Sequence, residues 1–328
     1  MFGELPKLFD RDFAIAYFLP SAAFVAVTYL IVIRFGLSPT LFTLSADTFL
    51  KDLAAFGSVS LFGGIILLIA NRGIVRLLEG YWGFVLRRHL NWLERLRFQK
   101  AHNKSLDSDQ DFDAYDLRGE PFPRHLKDQR NQIKLLEASR FPDAKYLILP
   151  TSFGNIFRAF EVYARVMYGL DAIPGWFRLL AVIPKEYRAL IDSARARVDF
   201  CVNFAFLSLF VIVEFYLAAI LAKRLSVSGF FSPSGRFPWI PLFALLSFWM
   251  AYVFAKRAAQ EWGEWVKSAY DLYLPDLRAK LEFAPVATQK EEREMWTAFT
   301  IAALTRDPEW MPEKIRKPPE PPTAFDKL

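Results

Sequence analysis

Four stretches of the chain are apolar, free of Lys and Arg and long enough to cross a lipid bilayer. A hydrocarbon core about 30 Å thick needs about 20 helical residues that rise about 1.5 Å each. The four runs supply this length, the last one together with its flanks, and together they favour membrane spans over the buried helices of a soluble protein. The sequence therefore predicts an all-α integral membrane protein with four transmembrane helices, at residues 13–33, 53–70, 201–222 and 239–255.

The four spans form two pairs that are separated by a long polar segment. Each pair has a short connection, at residues 34–52 and 223–238, and therefore predicts a transmembrane hairpin. The intervening segment is long enough to form a domain of its own. We divide the chain into a first hairpin, a mainly helical middle domain, a second hairpin and a helical tail with a proline-rich end, at residues 1–71, 72–200, 201–258 and 259–328.

The distribution of Lys and Arg predicts the orientation of the chain. The connections 34–52 and 223–238 hold five of the 41 basic residues, and the other 36 lie in the N-terminus, the middle segment and the tail. Basic residues near the ends of spans stay on the cytoplasmic side. We therefore expect both termini and the middle domain to be cytoplasmic.

A cluster of basic residues begins where the second span ends. Residues 72–104 carry eight Lys and Arg against two Glu, and apolar positions predict an amphipathic helix that runs through Gly80. Tryptophan on a cationic strip suits the headgroup layer of a bilayer, whereas the alternative is a helix that packs on its neighbours with solvated charges. Because the cluster is tethered against lipid, we expect no nucleic-acid partner. The candidate lipid-surface residues are Trp82, Arg87, Arg88, Trp92, Arg95 and Arg97.

Local signals predict where several of the other helices begin. Thr151 or Ser152 can cap a helix with a regular apolar stripe, and Thr288 with Glu291 forms a capping box ahead of another helix. From Pro184 a helix is expected to continue without a break into the third span. After the fourth span an amphipathic helix is expected to break or kink at Pro275.

Several segments resemble one known group of proteins. They include VRLLEGYW at 75–82, PTSFGNI at 150–156, YGLDA at 168–172 and SAYDLY at 268–273. These segments are similar to an uncharacterised bacterial inner-membrane protein family with four spans, over most of residues 60–300. The resemblance implies a bacterial inner-membrane location and no assigned activity.

Residues 103–128 are polar and acidic, and we expect them to form a loop. Asp109, Asp111, Asp113 and Glu120 occupy positions 1, 3, 5 and 12 of a calcium-binding loop. Ala114 stands where that loop requires glycine, which weakens the match. The alternative is an acidic surface segment that balances the basic cluster beside it.

One ionisable residue, Glu214, lies in the middle of the third span. A charge at bilayer depth costs about 2.5 kcal/mol or more, so such a residue is a functional candidate. Glu214 could line an ion or proton path, with Asn203 as a second polar residue of the same span. The alternative is a protonated Glu214 that forms a hydrogen bond to a neighbouring helix.

Two hypotheses about function follow from these features. The first is a membrane-anchored, oligomeric scaffold or effector whose helical domain binds a cytosolic partner or the anionic inner membrane surface. The second is an oligomeric channel or transporter subunit that uses Glu214. The sequence contains no catalytic motif, phosphate loop or metal-ligand spacing, so we expect no enzymatic activity and no cofactor. The spans contain few polar residues, which favours the scaffold.

Overall fold

The computed structural model describes residues 10–35, 49–81, 84–224 and 239–313, and these residues are almost entirely helical. Within these residues the prediction of an all-α fold is confirmed, and four of the helices are long and apolar enough to cross a membrane. Most of both connections within the predicted hairpins, at residues 36–48 and 225–238, and the proline-rich end at residues 314–328 lie outside the described residues.

The helices of the described residues are numbered in chain order. Helix α1 comprises Arg11–Phe13, a π-helical turn at Ala14–Phe18 and Leu19–Arg34. The others are α2 (Phe49–Glu79), α3 (Phe84–Leu117), α4 (Arg124–Arg140), α5 (Ser152–Glu161), α6 (Tyr163–Tyr168), α7 (Ala172–Leu179), α8 (Lys185–Arg224), α9 (Trp239–Lys280) and α10 (Gln289–Thr305). Two short 3₁₀ turns lie at Lys145–Leu147 and Pro308–Trp310.

Helices α8 and α9 extend far beyond their apolar spans. They contain 40 and 42 residues, which corresponds to about 60 Å, or twice the thickness of a hydrocarbon core. The predicted unbroken helix from Pro184 into the third span is therefore confirmed, whereas Pro275 does not end α9. The two helices make the most extensive contact in the described structure. Because each helix is continuous and packs along its partner, the polar half of each is joined rigidly to its apolar half.

Helix α1 packs against α2 and α8. Near its start, the Tyr17 hydroxyl donates a 2.9 Å hydrogen bond to the Asp199 carboxylate of α8, and Arg195 pairs with the same carboxylate. Asn203 of α8 donates a 2.9 Å hydrogen bond to the Ala16 carbonyl, inside the π-helical turn. These contacts fix the first span to the third at the end where the polar domain begins.

The helices outside the spans form one hydrophobic core that continues into the spans. Its largest members come from α5, α9 and α10, and include Phe153, Tyr270 and Trp296. Both predicted helix caps are confirmed. The Thr151 hydroxyl accepts from the Gly154 backbone amide, and Thr288 and Glu291 cap each other's backbone amides.

The expected loop at residues 103–128 is wrong except at residues 118–123, because α3 continues as a helix to Leu117 and α4 begins at Arg124. Helix α4 packs against this acidic stretch and compensates its charge: Arg130 and Lys134 both pair with Asp109, at 2.6 Å and 2.7 Å. Phe112 contacts Phe122 across the turn. The stabilising groups thus lie about 20 residues further along the chain.

The expected helix through Gly80 is also corrected, since α2 ends at Glu79. Gly80 has a φ of 96°, a left-handed conformation that glycine adopts without steric cost. The Gly80 amide donates to the Leu77 carbonyl and the Tyr81 amide donates to the Arg76 carbonyl, which is the Schellman pattern of a helix end. Consequently the basic cluster is divided between α2 and α3.

Candidate functional site

A pocket with a basic lining lies between α3, α4, α5 and α9, beside the end of the fourth span. Its cavity volume is about 700 Å³. Six cationic side chains contribute to its lining, against Glu137 as the one acid. We call this cavity the basic pocket and define it by Arg97, Lys100, Lys104, Arg140, Lys256 and Arg257.

Apolar side chains share the lining with these cations. They come from the same four helices and from the turn after α4, and comprise Ile133, Leu136, Phe141, Ile156 and Val253. A pocket that combines apolar walls with a few convergent charged groups is the usual form of a small-molecule or lipid site. The basic pocket therefore has the composition to bind an amphiphile with an anionic head.

A buried carboxylate fixes the wall of the pocket from behind. Glu94 of α3 is almost fully buried and accepts hydrogen bonds from Arg97, from the Ser152 hydroxyl at 2.8 Å and from the Asn155 amide at 3.0 Å. Buried charges are stable only when they are paired and hydrogen-bonded, and Glu94 meets both conditions. This network orients Arg97 at the rim and joins α3 to the start of α5.

The other five cations of the basic pocket have no ion-pair partner among the described residues. Arg97 pairs with Glu94, and Glu137 bonds to His102 at 2.8 Å. Lys100 and Lys104 come from α3, Arg140 ends α4, and the remaining two lie on α9 immediately after the fourth span. Like charges gathered in one concavity repel each other and attract an anion.

The structure describes the side chains of three of the six predicted lipid-surface residues. Trp82 lies outside the described residues, and only the backbone is described for Arg87 and Arg88, at the start of α3. The side chains of Trp92 and Arg95 are exposed. Among the three of these residues whose side chains the structure describes, Arg97 lines the basic pocket.

The predicted calcium loop is not formed. Asp109, Asp111 and Asp113 lie on α3, where a regular helix holds their carboxylates apart and cannot wrap them around an ion. Hydrogen bonds from Lys134 and Arg130 hold the pKa of the Asp109 carboxyl below its ordinary value. Glu120 follows the helix and pairs with Arg118. In the described ranges no three acidic, His or Cys side chains are grouped so that they could hold a metal ion.

Glu214 and Asn203 lie on α8 but do not form a common site. Glu214 is half-buried and accepts a 3.0 Å hydrogen bond from the Thr28 hydroxyl of α1. Asn203 lies eleven positions before Glu214 on α8. It is fully buried and contacts Ala16 of α1. A cavity of about 230 Å³ among α1, α8 and α9 is lined by apolar side chains and two serines. Glu214 thus links two helices.

Sequence reasoning missed Arg140, Lys256 and Arg257 as members of the candidate site. Arg140 is the last residue of a helix that was not predicted from the sequence. The other two have the sequence pattern of ordinary basic residues that flank a span. The pair Lys256-Arg257 could have indicated a site at the membrane surface, because it follows the fourth span directly. Its combination with α3 and α4 depends on tertiary contacts.

Comparison of the chain with protein-family models, curated proteins and solved structures finds no match.

Proposed function

We propose that the chain is a membrane-anchored scaffold or effector of the bacterial inner membrane. Its four spans form two hairpins and oligomerise, and its helical domain lies on the cytoplasmic side. There the domain binds the anionic membrane surface and presents itself to a cytosolic partner. The basic pocket beside the fourth span is the observation that carries this proposal.

The position of the basic pocket supports a role at the lipid surface. Lys256 and Arg257 follow the last apolar residues of the fourth span, so they lie at the depth of the phospholipid headgroups. The cytoplasmic leaflet carries a negative potential, and each Lys or Arg near it contributes about 1 kcal/mol. A cationic cavity at this depth therefore favours contact with anionic lipid.

The coupling between spans and domain supports the scaffold part of the proposal. Helices α8 and α9 continue from the membrane into the domain, and one hydrophobic core extends across both parts. A domain that is held in this way keeps a fixed orientation to the bilayer. Such a platform presents one constant face to a partner, which is the property a scaffold needs.

Hydrogen exchange of the full chain in nanodiscs tests the proposal. Discs of phosphatidylcholine alone are compared with discs that contain one-third phosphatidylglycerol. We expect amide exchange in residues 89–104 and 256–260 to slow in the anionic discs only, while α10 serves as the internal control. Equal exchange in the two kinds of disc would contradict surface binding.

A further inference from the structure

Five cations of the basic pocket share one concavity in which Glu137 is the one acid of the lining. Lys100, Lys104, Arg140, Lys256 and Arg257 form no ion pair with a described residue. Elsewhere in the described chain, cations such as Arg130 and Lys134 converge on a carboxylate. In the basic pocket the one acid of the lining, Glu137, bonds to His102 and pairs with none of these five cations.

The geometry of α9 connects this pocket to the lipid-facing surface of the fourth span. Trp249, Val253, Lys256 and Gln260 are spaced four, three and four residues apart, so they lie on one face of the helix. Trp249 is 61% exposed within the span, whereas the last three residues line the pocket. This face therefore runs without interruption from the apolar surface into the cationic cavity.

We propose that the basic pocket is the binding site for the headgroup of one phospholipid that carries two negative charges, with the acyl chains lying along the Trp249–Val253 face of α9. This assignment rests on the proposed cytoplasmic orientation, which places the pocket in the leaflet that contains anionic lipid. It goes beyond that proposal because it names one site with a defined stoichiometry.

The arginine and lysine side chains of the basic pocket contribute to phosphate binding in different ways. The guanidinium groups of Arg140 and Arg257 can each donate two parallel hydrogen bonds to a phosphate, and the lysines contribute point charges. Five unpaired cations exceed what one singly charged phosphodiester neutralises. Two phosphodiesters or one phosphomonoester match them better, since a phosphomonoester carries a charge of about −1.5 to −2 at pH 7.

Native mass spectrometry of the full chain in detergent tests this assignment. Four parallel samples each receive one lipid at the same concentration: cardiolipin, phosphatidic acid, phosphatidylglycerol or phosphatidylcholine. We expect one doubly charged lipid to be retained per chain, weaker retention of phosphatidylglycerol and none of phosphatidylcholine. Equal retention of all four lipids would overturn the proposal.

A charge-matched pair of triple variants identifies the pocket as the site. The combination of Lys100→Gln, Arg140→Gln and Arg257→Gln should weaken cardiolipin binding about a hundredfold. The control combination of Lys127→Gln, Lys145→Gln and Lys280→Gln removes three exposed cations outside the pocket and should leave binding within about threefold. Should the pocket triple fail to fold, the single variants Arg140→Gln and Arg257→Gln replace it, each with about a fivefold loss expected. Equal binding by pocket and control variants would refute the site.

Competition by soluble phosphates, together with a variant on the face proposed to contact the acyl chains, shows whether the pocket binds a lipid or a free anion. Inorganic phosphate and glycerol 3-phosphate at millimolar concentration should not displace the lipid, and Trp249→Ala should weaken lipid retention. Displacement by either soluble anion would contradict the lipid assignment. If amide hydrogen exchange in nanodiscs responds to anionic lipid while the two triple variants bind cardiolipin equally, the proposed lipid site fails but the proposed function does not. If neither experiment shows a response, the proposed function fails with it.

Discussion

The side-chain amide of Asn155 donates a 3.0 Å hydrogen bond to the Glu94 carboxylate, and this contact joins α5 to α3 behind the basic pocket. Asn155 is fully buried. Its amide nitrogen also donates to the Leu149 carbonyl, and its oxygen accepts from the Leu149 backbone amide at 2.7 Å. One side chain thus closes the turn before α5 and satisfies a buried charge on another helix.

Replacement of this asparagine should be strongly destabilising. Asn155→Ala leaves both backbone groups of Leu149 and one oxygen of Glu94 without their partner, and each buried unsatisfied group costs about 1–3 kcal/mol. We expect a loss of about 3 kcal/mol or more, seen as a lower thermal midpoint of the full chain in detergent. Asn131→Ala, at an exposed position of α4, is the control and should change stability by less than about 0.5 kcal/mol. Similar midpoints for the two variants would contradict the role of Asn155.

Two helical glycines should respond to alanine with opposite signs. A Cβ atom at Gly154 would collide with the Glu79 carbonyl oxygen at the end of α2, whereas a Cβ at Gly73 would meet open space. Gly154→Ala should therefore destabilise the chain by about 1–3 kcal/mol through overpacking. Gly73→Ala should stabilise it by up to about 1 kcal/mol, because alanine favours helix. Thermal unfolding of both variants measures this difference, and a shift of the same sign in both would show that the packing of α5 on α2 is wrong.

How much of this arrangement the sequence predicts depends on how local its causes are. The Thr288–Glu291 capping box is formed by residues three positions apart, and the spans follow from composition alone, so both could be predicted. The helical state of residues 103–117 could not, because the cations that stabilise Asp109 lie on α4. The basic pocket has the same origin. Arg140 and Lys256 are more than 100 positions apart, and tertiary packing alone brings them together.

The contact between the first and third spans depends on a buried hydrogen bond. Tyr17→Phe removes the hydroxyl that donates to Asp199 and leaves a buried carboxylate oxygen without its donor. A hydrogen bond to a charged group contributes about 1.5–3 kcal/mol, so we expect a loss of this size. Tyr216→Phe removes the hydroxyl of an exposed tyrosine on α8, the helix of Asp199, and should have little effect. Thermal midpoints in detergent compare the two, and an unchanged midpoint for Tyr17→Phe would be inconsistent with the observed contact.

Glu214 distinguishes anchoring from conduction. Glu214→Gln retains an oxygen that can accept from Thr28, so folding and oligomeric state should survive. Glu214→Leu loses this interhelical bond and should cost about 0.5–1.5 kcal/mol. In liposomes we expect ion flux of the wild type to equal that of protein-free vesicles. Flux in the wild type that disappears in Glu214→Gln would support the channel hypothesis instead.

The thermal midpoint of the full chain in neutral detergent, measured as lipid is added, tests the central claim most directly. A ligand that binds only the folded state stabilises it by about 2.7 kcal/mol at a hundred times its dissociation constant. We predict that an anionic lipid raises the midpoint in a saturable way and that high salt weakens the effect, while phosphatidylcholine leaves the midpoint unchanged. An equal rise with anionic and zwitterionic lipid would contradict a scaffold that binds the anionic membrane surface.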